Sequence, residues 1–316
     1  MRPAPKRAPR SAAAGQRQAV AAELIAVIVA VTDGEPRILT IDGGQALPSG
    51  PFESSHRSLQ SGLRSWVEQQ THHPLGYVEQ LYTFADRDRT PGRGRRTVSV
   101  SYLGLTREQR AVGLPEVGWQ SWYRYFPWED RRGRSAAIMQ DAVRPLLLAW
   151  ADAAGDAAVR RERQLRVAIT FALGPAWNEE LVLQRYELLY EANLVPEAVG
   201  ATARAPGEPM AHDHRRILAT GIARLRAKIK YRPVVFELMP PQFTLLQLQR
   251  TVEALAGRLL HKQNFRRLID QQDLVEETGE MAAEGRGRPA KLFRFRRAVL
   301  AERAVAATRL PLARSV

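Results

Sequence analysis

The most informative part of this chain, residues 243–297, is FTLLQLQRTVEALAGRLLHKQNFRRLIDQQDLVEETGEMAAEGRGRPAKLFRFRR. Thr244 and Gln247 form a Ser/Thr-x-x-Glu/Gln capping box just after two prolines, which predicts that a helix begins there. Apolar residues then recur at steps of three or four positions up to Gly257. These residues are Leu245, Leu248, Val252 and Leu255. The pattern predicts an amphipathic helix that ends near the glycine.

A second, shorter helix is predicted to follow, with Phe265, Leu268 and Ile269 on its buried side. At 100° per residue, a polar set points away from that side or flanks it. The set is Gln263, Asn264, Arg266, Arg267 and Asp270. Two helices joined by a short turn are typical of a helix-turn-helix, whose second helix presents Arg, Asn and Gln to base edges. We therefore expect a recognition helix here.

The end of this stretch alternates with a period of two, which predicts a strand. Phe293 and Phe295 fall on one face, and Arg294 and Arg296 on the other. From residue 286 to residue 297 there are six basic residues and no acidic one. Glycines at 285 and 287 and a proline at 289 predict a tight loop with Arg286 and Arg288 at its tip. This hairpin resembles the wing of a winged helix, and the alternative is a solvated helix pair with a charged hairpin.

These elements predict a winged helix-turn-helix DNA-binding domain over residues 233–300 that binds double-stranded operator DNA. We assign contacts with bases or the adjacent backbone to Gln263, Asn264 and Arg267, because their side-chain types recognise base edges. We assign contacts with phosphates or grooves to Lys262, Arg266, Arg286, Arg288 and Lys291. Cations at these places neutralise phosphates without reading sequence.

The composition agrees with this interpretation. The 316 residues carry a formal net charge of +14, a common property of proteins that bind nucleic acid. A hydrophobic fraction of 45% and this length predict two domains. The absence of cysteine excludes disulfides and thiolate metal sites and fits a reducing cytoplasm. No apolar run is long enough for a membrane span, so we expect a cytoplasmic protein.

The first part of the chain superficially resembles a signal peptide. Residues 1–18 hold five Lys or Arg and no acid, and an apolar run follows at 19–31. However, Glu23 interrupts that run, and Asp33-Gly34 predicts a turn into a second strand at 37–41. We therefore predict a disordered basic tail at 1–18 and then a buried hairpin.

A helix at 58–70 and strands at 76–84 and 97–105 predict an α/β domain over residues 19–232. Residues 47–89, LPSGPFESSHRSLQSGLRSWVEQQTHHPLGYVEQLYTFADRDR, resemble the Nudix box and the segment after it. With the box glycine at Gly50, the arginine, the first apolar position and one glutamate are matched by Arg64, Trp66 and Glu68. The other three glutamates are replaced by His56, Ser65 and Gln69, and Thr71 stands in place of the second glycine.

One remaining carboxylate does not build the oxygen-rich cage that Mg²⁺ requires for diphosphate hydrolysis. The sequence therefore predicts no metal site, no catalytic residue and no enzymatic activity. The alternative is an active Nudix hydrolase of nucleoside diphosphate derivatives with a basic C-terminus that binds nucleic acid.

A degenerate Nudix domain joined to a winged helix resembles the Nudix-related transcriptional regulators of the NrtR family, and more closely the NadQ-type NAD regulators. The resemblance runs from about Glu23 to Arg297. Its segments are YVEQLYTF (77–84), YFPWED (125–130), WNEELVLQRYELLYEANLV (177–195), HDHRRIL (212–218) and the NFRR…GRPAKLFRF pair. It implies an α/β/α Nudix-like sandwich and a repressor of NAD biosynthesis or salvage genes. It also implies a nucleotide effector, ADP-ribose or another adenine nucleotide such as ATP, and no cofactor.

Effector contacts are expected on the Nudix-like domain. The residues assigned to them are Arg64, Glu68, Glu79, Tyr82, Asp86, Arg95 and Arg96. Asp86 lies in a loop that either lines the pocket mouth or is simply solvated. Arg95 and Arg96 precede a strand, where a guanidinium would clamp a diphosphate through two parallel hydrogen bonds.

A helical insertion is predicted at about 107–200, with its helices over 139–193, and a tail at 301–316. The apolar surface of the insertion predicts burial against the core or in a homodimer. A homodimer is also expected because winged-helix regulators usually bind two half-sites. A helix over 212–231 is predicted to connect to the DNA-binding domain.

For His212-Asp213-His214 we favour helix capping and packing over metal ligation. The aromatic residues between 119 and 128 favour core or dimer contacts over stacking on an adenine.

Overall fold

The structure of the chain, a computed structural model, describes residues 20–85, 97–109, 114–133, 138–173, 176–198, 200, 204–282, 289–296 and 298. Within these ranges the chain forms an α/β domain followed by a smaller domain of helices and strands. None of the helices in these ranges is long and apolar enough to cross a membrane.

A mixed sheet forms the centre of the α/β domain. Its described strands are β1 (Ala21–Thr32), β2 (Glu35–Thr40), β3 (Ser49–Pro51), β4 (Tyr77–Phe84), β5 (Thr97–Leu105) and β6 (Gly118–Ser121). They lie in the order β4-β5-β1-β2-β6, and β3 pairs with the first half of β1. β1 and β5 run parallel, while the pairs β1–β2, β2–β6 and β4–β5 are antiparallel. β1 is therefore the central strand.

A tight hairpin joins β1 to β2 at Asp33 and Gly34. Both residues adopt left-handed backbone conformations, with φ of 53° and 73°. This type I′ geometry matches the right-handed twist of the two strands. The side chains from Leu24 to Ala30 are buried because β1 is covered on both faces. The predicted hairpin is confirmed, and the apolar run is a buried strand over its described residues.

Helices cover both faces of the sheet. The described helices are α1 (Leu59–Thr71), α2 (Arg144–Asp152), α3 (Ala157–Thr170), α4 (Val182–Glu191), α5 (His214–Tyr231), α6 (Leu245–Ala256) and α7 (Lys262–Gln272). α1 packs Leu63 and Val67 against one face of β1. α5 lies on the other face, so close that a Cβ at Gly221 would lie 2.9 Å from Val27. The two helices and the sheet form the predicted α/β/α sandwich.

The predicted helical insertion corresponds to a π-helical turn at Ile138–Val143 and helices α2, α3 and α4. The Asp156 carboxylate begins α3 by accepting hydrogen bonds from the backbone N–H groups of Ala158 and Val159 at 2.7 and 3.0 Å. Leu147 and Leu189 are fully buried in the same core as the aromatic residues of the α/β domain. The insertion is therefore part of that domain's core.

The second domain contains α6, α7 and a hairpin of β7 (Val275–Met281) and β8 (Lys291–Phe295). The predicted capping box is present, since Thr244 Oγ1 accepts from the N–H of Gln247 at 3.2 Å and Gln247 Oε1 accepts from the N–H of Thr244 at 2.7 Å. Gly257 ends α6 in the left-handed conformation, with φ of 69°. The order helix, helix, hairpin is that of a winged helix.

Candidate nucleic-acid interface and effector domain

Helix α7 presents a free polar face. Phe265 and Ile269 are buried, one turn apart, and hold the helix against the domain. The predicted contact residues on this helix are all exposed, namely Lys262, Gln263, Asn264, Arg266 and Arg267. The three cations among them make no hydrogen bond or ion pair with any residue in the described part of the chain. Their full charge is therefore available to an external anion.

The expected burial of Leu268 is wrong. Its side chain is 50% exposed. Two positions four residues apart are enough to seat α7, and Leu268 falls to one side of the stripe that they define. It lies at the edge of a cavity described below.

The wing hairpin carries cations that are already paired. Lys291 Nζ lies 2.9 Å from Glu277, and Arg294 Nε lies 2.7 Å from Glu276. Arg296 bonds the carboxylate of Asp273 at 2.8 Å. The basic residues of the second strand were predicted from the sequence, but the acids that the hairpin brings opposite them were not. The loop-tip residues Arg286 and Arg288 lie outside the described residues.

The alternation of β8 is confirmed. Phe295 stacks on Phe236 with ring centroids 4.2 Å apart, and Phe293 exchanges backbone hydrogen bonds with Phe243. Arg294 points outward. The inward face of the wing thus fastens the hairpin to the segment that leads into α6.

The residues at the Nudix-box positions do not form a carboxylate cage. The His56 ring stacks on Phe52 at 5.9 Å and meets the edge of Trp66 at 6.2 Å. Gln69 donates to Ser65 Oγ at 3.3 Å, and the Glu68 side chain is exposed. Within the described ranges there is no group of three or more His, Asp or Glu side chains placed to hold a metal ion. Apart from Glu68, the glutamate positions of the box are occupied by an aromatic cluster and neutral polar groups.

The predicted effector contacts do not converge among the described residues. Arg64 uses its guanidinium to bond the backbone carbonyls of Leu75 and Gly76, the latter at 2.9 Å. Arg64 and Glu68 belong to α1, on one face of the sheet. Glu79 points to the opposite face, where it pairs with Lys228 of α5. Asp86, Arg95 and Arg96 lie outside the described residues.

Glu79 belongs to a compact polar cluster with α5. The Tyr77 hydroxyl donates to Glu79 at 2.7 Å and contacts Lys228 Nζ at 2.5 Å. Burial, followed by the charge of Arg232, lowers the pKa of Lys228. Tyr82 is exposed and meets the edge of Phe84 at 5.0 Å. Glu79 therefore serves to fasten β4 to α5 in this structure.

The aromatic stretch is core, as favoured. Trp122, Tyr123, Tyr125, Phe126 and Trp128 are all buried, whereas Trp119 is half-buried against His73. Buried rings packed on one another leave no open face for an adenine. These residues build the centre of the α/β domain.

For the His212-Asp213-His214 segment, the predicted side-chain capping of the helix is wrong, whereas the predicted packing is confirmed. α5 begins at His214, and Asp213 occupies the N-cap position without a side-chain capping hydrogen bond. Its carboxylate pairs instead with Arg216 at 3.1 Å. His214 packs as expected, since its buried Nδ1 accepts the backbone N–H of Leu47 at 3.0 Å.

A buried charge network between the domains was not predicted from the sequence. Glu129, Arg185 and Arg226 are each 0% exposed. Arg185 Nη2 donates to one Glu129 oxygen at 2.9 Å, and Arg226 Nη1 donates to the same oxygen at 2.5 Å. Burial alone would raise the pKa of Glu129, but the two guanidinium groups outweigh it and hold that pKa below the usual range. The available signal was a charged residue inside the aromatic motif YFPWED.

This network reaches the end of α6, the first helix of the helix-turn-helix. The carbonyls of a helix's last turn lack partners within the helix. Here Tyr123 donates its hydroxyl to Ala254 O at 2.6 Å, and Arg226 Nε donates to Leu255 O at 2.8 Å. The backbone N–H of Arg131 bonds Gly257 O at 2.7 Å. The α/β domain therefore caps the helix that precedes α7.

Comparison with known proteins agrees with this geometry. The model of the family described as the NrtR DNA-binding winged helix domain matches residues 235–295. This segment is an NrtR-type winged helix. A stretch of 86 residues, 27% of this chain, is 42% identical to a protein of Acinetobacter baylyi named ADPR responsive transcriptional repressor NtrR. That match covers 34% of the relative, so the chain spans about a third of the length of this curated protein.

Solved structures share the whole architecture. NrtR of Shewanella oneidensis, crystallised with a 27mer DNA, matches at a TM-score of 0.54 and 20% identity over 88% of this chain and 95% of that one. A MutT/nudix family protein of Enterococcus faecalis matches at a TM-score of 0.53 and 14% identity over 92% and 90%. The chain thus has a Nudix-like α/β domain followed by an NrtR-type winged helix, and both the predicted fold class and the resemblance to NrtR are confirmed.

Proposed function

We propose that this chain is a DNA-binding transcriptional regulator that acts as a repressor on an operator in double-stranded DNA. The observation that carries the proposal is the polar face of α7, whose three cations have no partner in the described part of an NrtR-type winged helix. Similarity to a repressor from Acinetobacter baylyi supports it. Helix α7 enters the major groove, where cations on its flanks meet phosphates.

In this proposal the contacts divide by side-chain chemistry. Arg267, Asn264 and Gln263 contact base edges or the adjacent backbone, because their donors and acceptors match those of guanine and adenine. Lys262 and Arg266 neutralise phosphates, with Arg286 and Arg288 doing so from the wing. Lys291 has first to leave Glu277, so its contribution is smaller.

We propose that the Nudix-like domain binds an effector and does not hydrolyse it. The effector is ADP-ribose, for which the Acinetobacter relative is named, or another adenine nucleotide. Arg64, Glu68, Glu79, Tyr82, Asp86, Arg95 and Arg96 remain the proposed contacts. Glu79 would have to exchange its bond to Lys228 for the ligand. His56, Ser65 and Gln69 at the other three glutamate positions support the absence of catalysis, since they leave Glu68 as the one box carboxylate for Mg²⁺.

We propose that the protein regulates genes of NAD biosynthesis or salvage, as implied by its resemblance to NrtR and to the closer NadQ type. A cytoplasmic homodimer would present two α7 helices to two half-sites. The boundaries at 19–232 and 233–300 remain those of the proposed effector and DNA-binding domains.

The effector and DNA are coupled, in this proposal, through α5 and the Glu129 network. α5 lies on the sheet, and its Arg226 bonds both Glu129 and the last turn of α6. An effector that favours one position of α5 therefore biases the position of α7. Coupling requires the effector to bind the two states with different affinity.

Footprinting on the promoter region of the protein's own gene cluster, with and without ADP-ribose, ATP and NAD, tests the proposal. We expect a protected site whose occupancy changes with one of the nucleotides. The Arg267→Ala variant should protect the site only at higher protein concentration, whereas Arg57→Ala, which removes an exposed arginine of the α/β domain, should protect it at the wild-type concentration. Equal binding to operator and unrelated DNA by the wild-type protein would refute a sequence-specific regulator.

A further inference from the structure

A cavity of about 230 Å³ lies where α5 meets the winged helix. Its interior is apolar and is lined by Ile229, Val235, Leu248, Val252, Phe265 and Ile269. These residues come from four elements, namely the end of α5, the following segment, α6 and α7. Its edge reaches solvent beside Tyr231 and Leu268, which are both exposed. The cavity is separate from α1 and the Nudix-box positions.

The mouth of this cavity is cationic. Lys230, Arg232 and Arg258 line it together with one acid, Glu179. Lys230 lies 2.9 Å from Glu179 and 2.7 Å from Glu180, so its charge is largely matched. Arg258 is 56% exposed and reaches Glu179 only at 3.6 Å. Arg232 forms no ion pair with the residues that the structure describes. Two guanidinium groups thus retain donors for a further anion.

We propose that this junction cavity binds a small organic monocarboxylate with an aromatic or branched apolar body. An apolar cavity of about 150 Å³ accommodates benzene, so this one holds a single ring with a short acid side chain. The body lies among the apolar residues, and the carboxylate meets Arg258 at the mouth. A neutral molecule of the same shape lacks the second interaction.

Occupancy of this site acts on α7 directly. The cavity wall includes Leu248 of α6, Phe265 of α7 and Ile229 of α5, so one ligand contacts all three helices at once. A ligand that fits one arrangement of these helices better than another shifts the population toward it. The winged helix therefore has a second regulatory input, which does not depend on the nucleotide effector or on the proposed operator.

Isothermal titration of the full-length protein with phenylacetate, and with neutral phenylacetamide as the matched probe, tests the proposal. We expect saturable binding of phenylacetate and about tenfold weaker binding of the amide, since one charge-assisted hydrogen bond is lost. Arg258→Gln should weaken phenylacetate binding by a similar factor. Arg250→Gln, which removes an exposed arginine of α6 outside this cavity, should leave it unchanged.

A second variant tests the location. Val252→Phe places a larger side chain on the cavity wall and should abolish binding of both probes, with its melting transition as the control for folding. The proposal is overturned if phenylacetate does not saturate. It is also overturned if the acid and the amide bind equally, or if binding survives both Arg258→Gln and Val252→Phe in folded protein. None of these readouts involves DNA, so failure of the proposed function would leave them unaffected.

Discussion

Among the residues that the structure describes, helix α7 and the wing with Arg296 each carry three cations, but they differ in what those cations contact. On α7, Lys262, Arg266 and Arg267 have no described partner. On the wing, Lys291 and Arg294 each face a glutamate of β7. An exposed ion pair contributes only about 0–1 kcal/mol, so the wing pairs are exchangeable, but a phosphate must displace a carboxylate to reach these residues. Basic residues counted in a sequence are therefore not equivalent to cations available to DNA.

The largest expected effect concerns the buried Glu129 network, which supports both α7 and the wing. Glu129→Gln leaves two buried guanidinium groups without their carboxylate, and the free energy of unfolding should fall by about 3–5 kcal/mol. Because α6 is capped by the same network, binding by α7 and by the wing should weaken together. Urea unfolding and operator titration check this, with the exposed Glu162→Gln as control. If only one of the two surfaces lost contacts, they would not share this support.

The same residue makes a pH prediction. The pKa of Glu129 is lowered from 4.5 in the folded protein, so its stabilisation is fully present above pH 4.5 and is lost as pH falls through the lower folded value. The wild-type protein should therefore lose stability on acidification more steeply than Glu129→Gln does. Parallel pH profiles of the two proteins would contradict the assignment.

The next largest effect tests α7 alone. Arg267→Ala should weaken operator binding by about 1–3 kcal/mol and relax the preference for operator over unrelated DNA, because a base-contacting guanidinium is removed. Competition titrations with both DNAs measure the ratio. Arg294→Ala, on the wing, should reduce binding less and leave the preference intact. If Arg294→Ala had the larger effect on binding and on the preference, base recognition would belong to the wing.

A smaller effect compares two lysines directly. Lys262→Ala should reduce the slope of log affinity against log salt by about 0.9, the value for one phosphate contact. Lys291→Ala should change that slope much less, because Glu277 already neutralises this lysine. Titrations at several salt concentrations give both slopes. Equal changes would show that the wing pair opens fully on DNA.

The smallest effect is a gain. Glu277→Gln frees Lys291 and removes a negative charge from the wing, so DNA affinity should rise about twofold to fivefold. Glu280→Gln changes the same charge on the same strand, where no ion pair with a described lysine or arginine is present. An equal gain in both variants would mean that net charge, and not release of the lysine, is responsible.

Local signals in the sequence predicted the elements well. The Asp33-Gly34 turn, the capping box at Thr244 and the alternation of β8 depend on neighbouring residues, and the structure contains all three. The winged-helix fold followed from several such signals in order, whereas the Nudix-like fold was implied by the resemblance of residues 47–89 to the Nudix box. Residue spacing is sufficient where the partner is a few positions away.

Contacts between distant parts of the chain could not be predicted from the sequence. Glu129 meets Arg185 and Arg226 at separations of 56 and 97 residues. The pairing of Lys291 with Glu277 depends on the register of the hairpin, and the bond of Glu79 to Lys228 depends on which face of the sheet α5 covers. Leu268 was placed by spacing alone, although two anchors already fix α7. No single residue pattern contains this information.

Gly257, which ends α6, has a consequence for transplanting this domain. A Cβ at this position would lie 2.2 Å from the carbonyl oxygen of Glu129. The turn after α6 therefore lies directly against the backbone of the α/β domain, where the N–H of Arg131 bonds Gly257 O. A chimera that takes residues 235–295 alone would leave the end of α6 bare. Segment 123–131 and Arg226 would have to move with it, so the unit of exchange is larger than the winged helix itself.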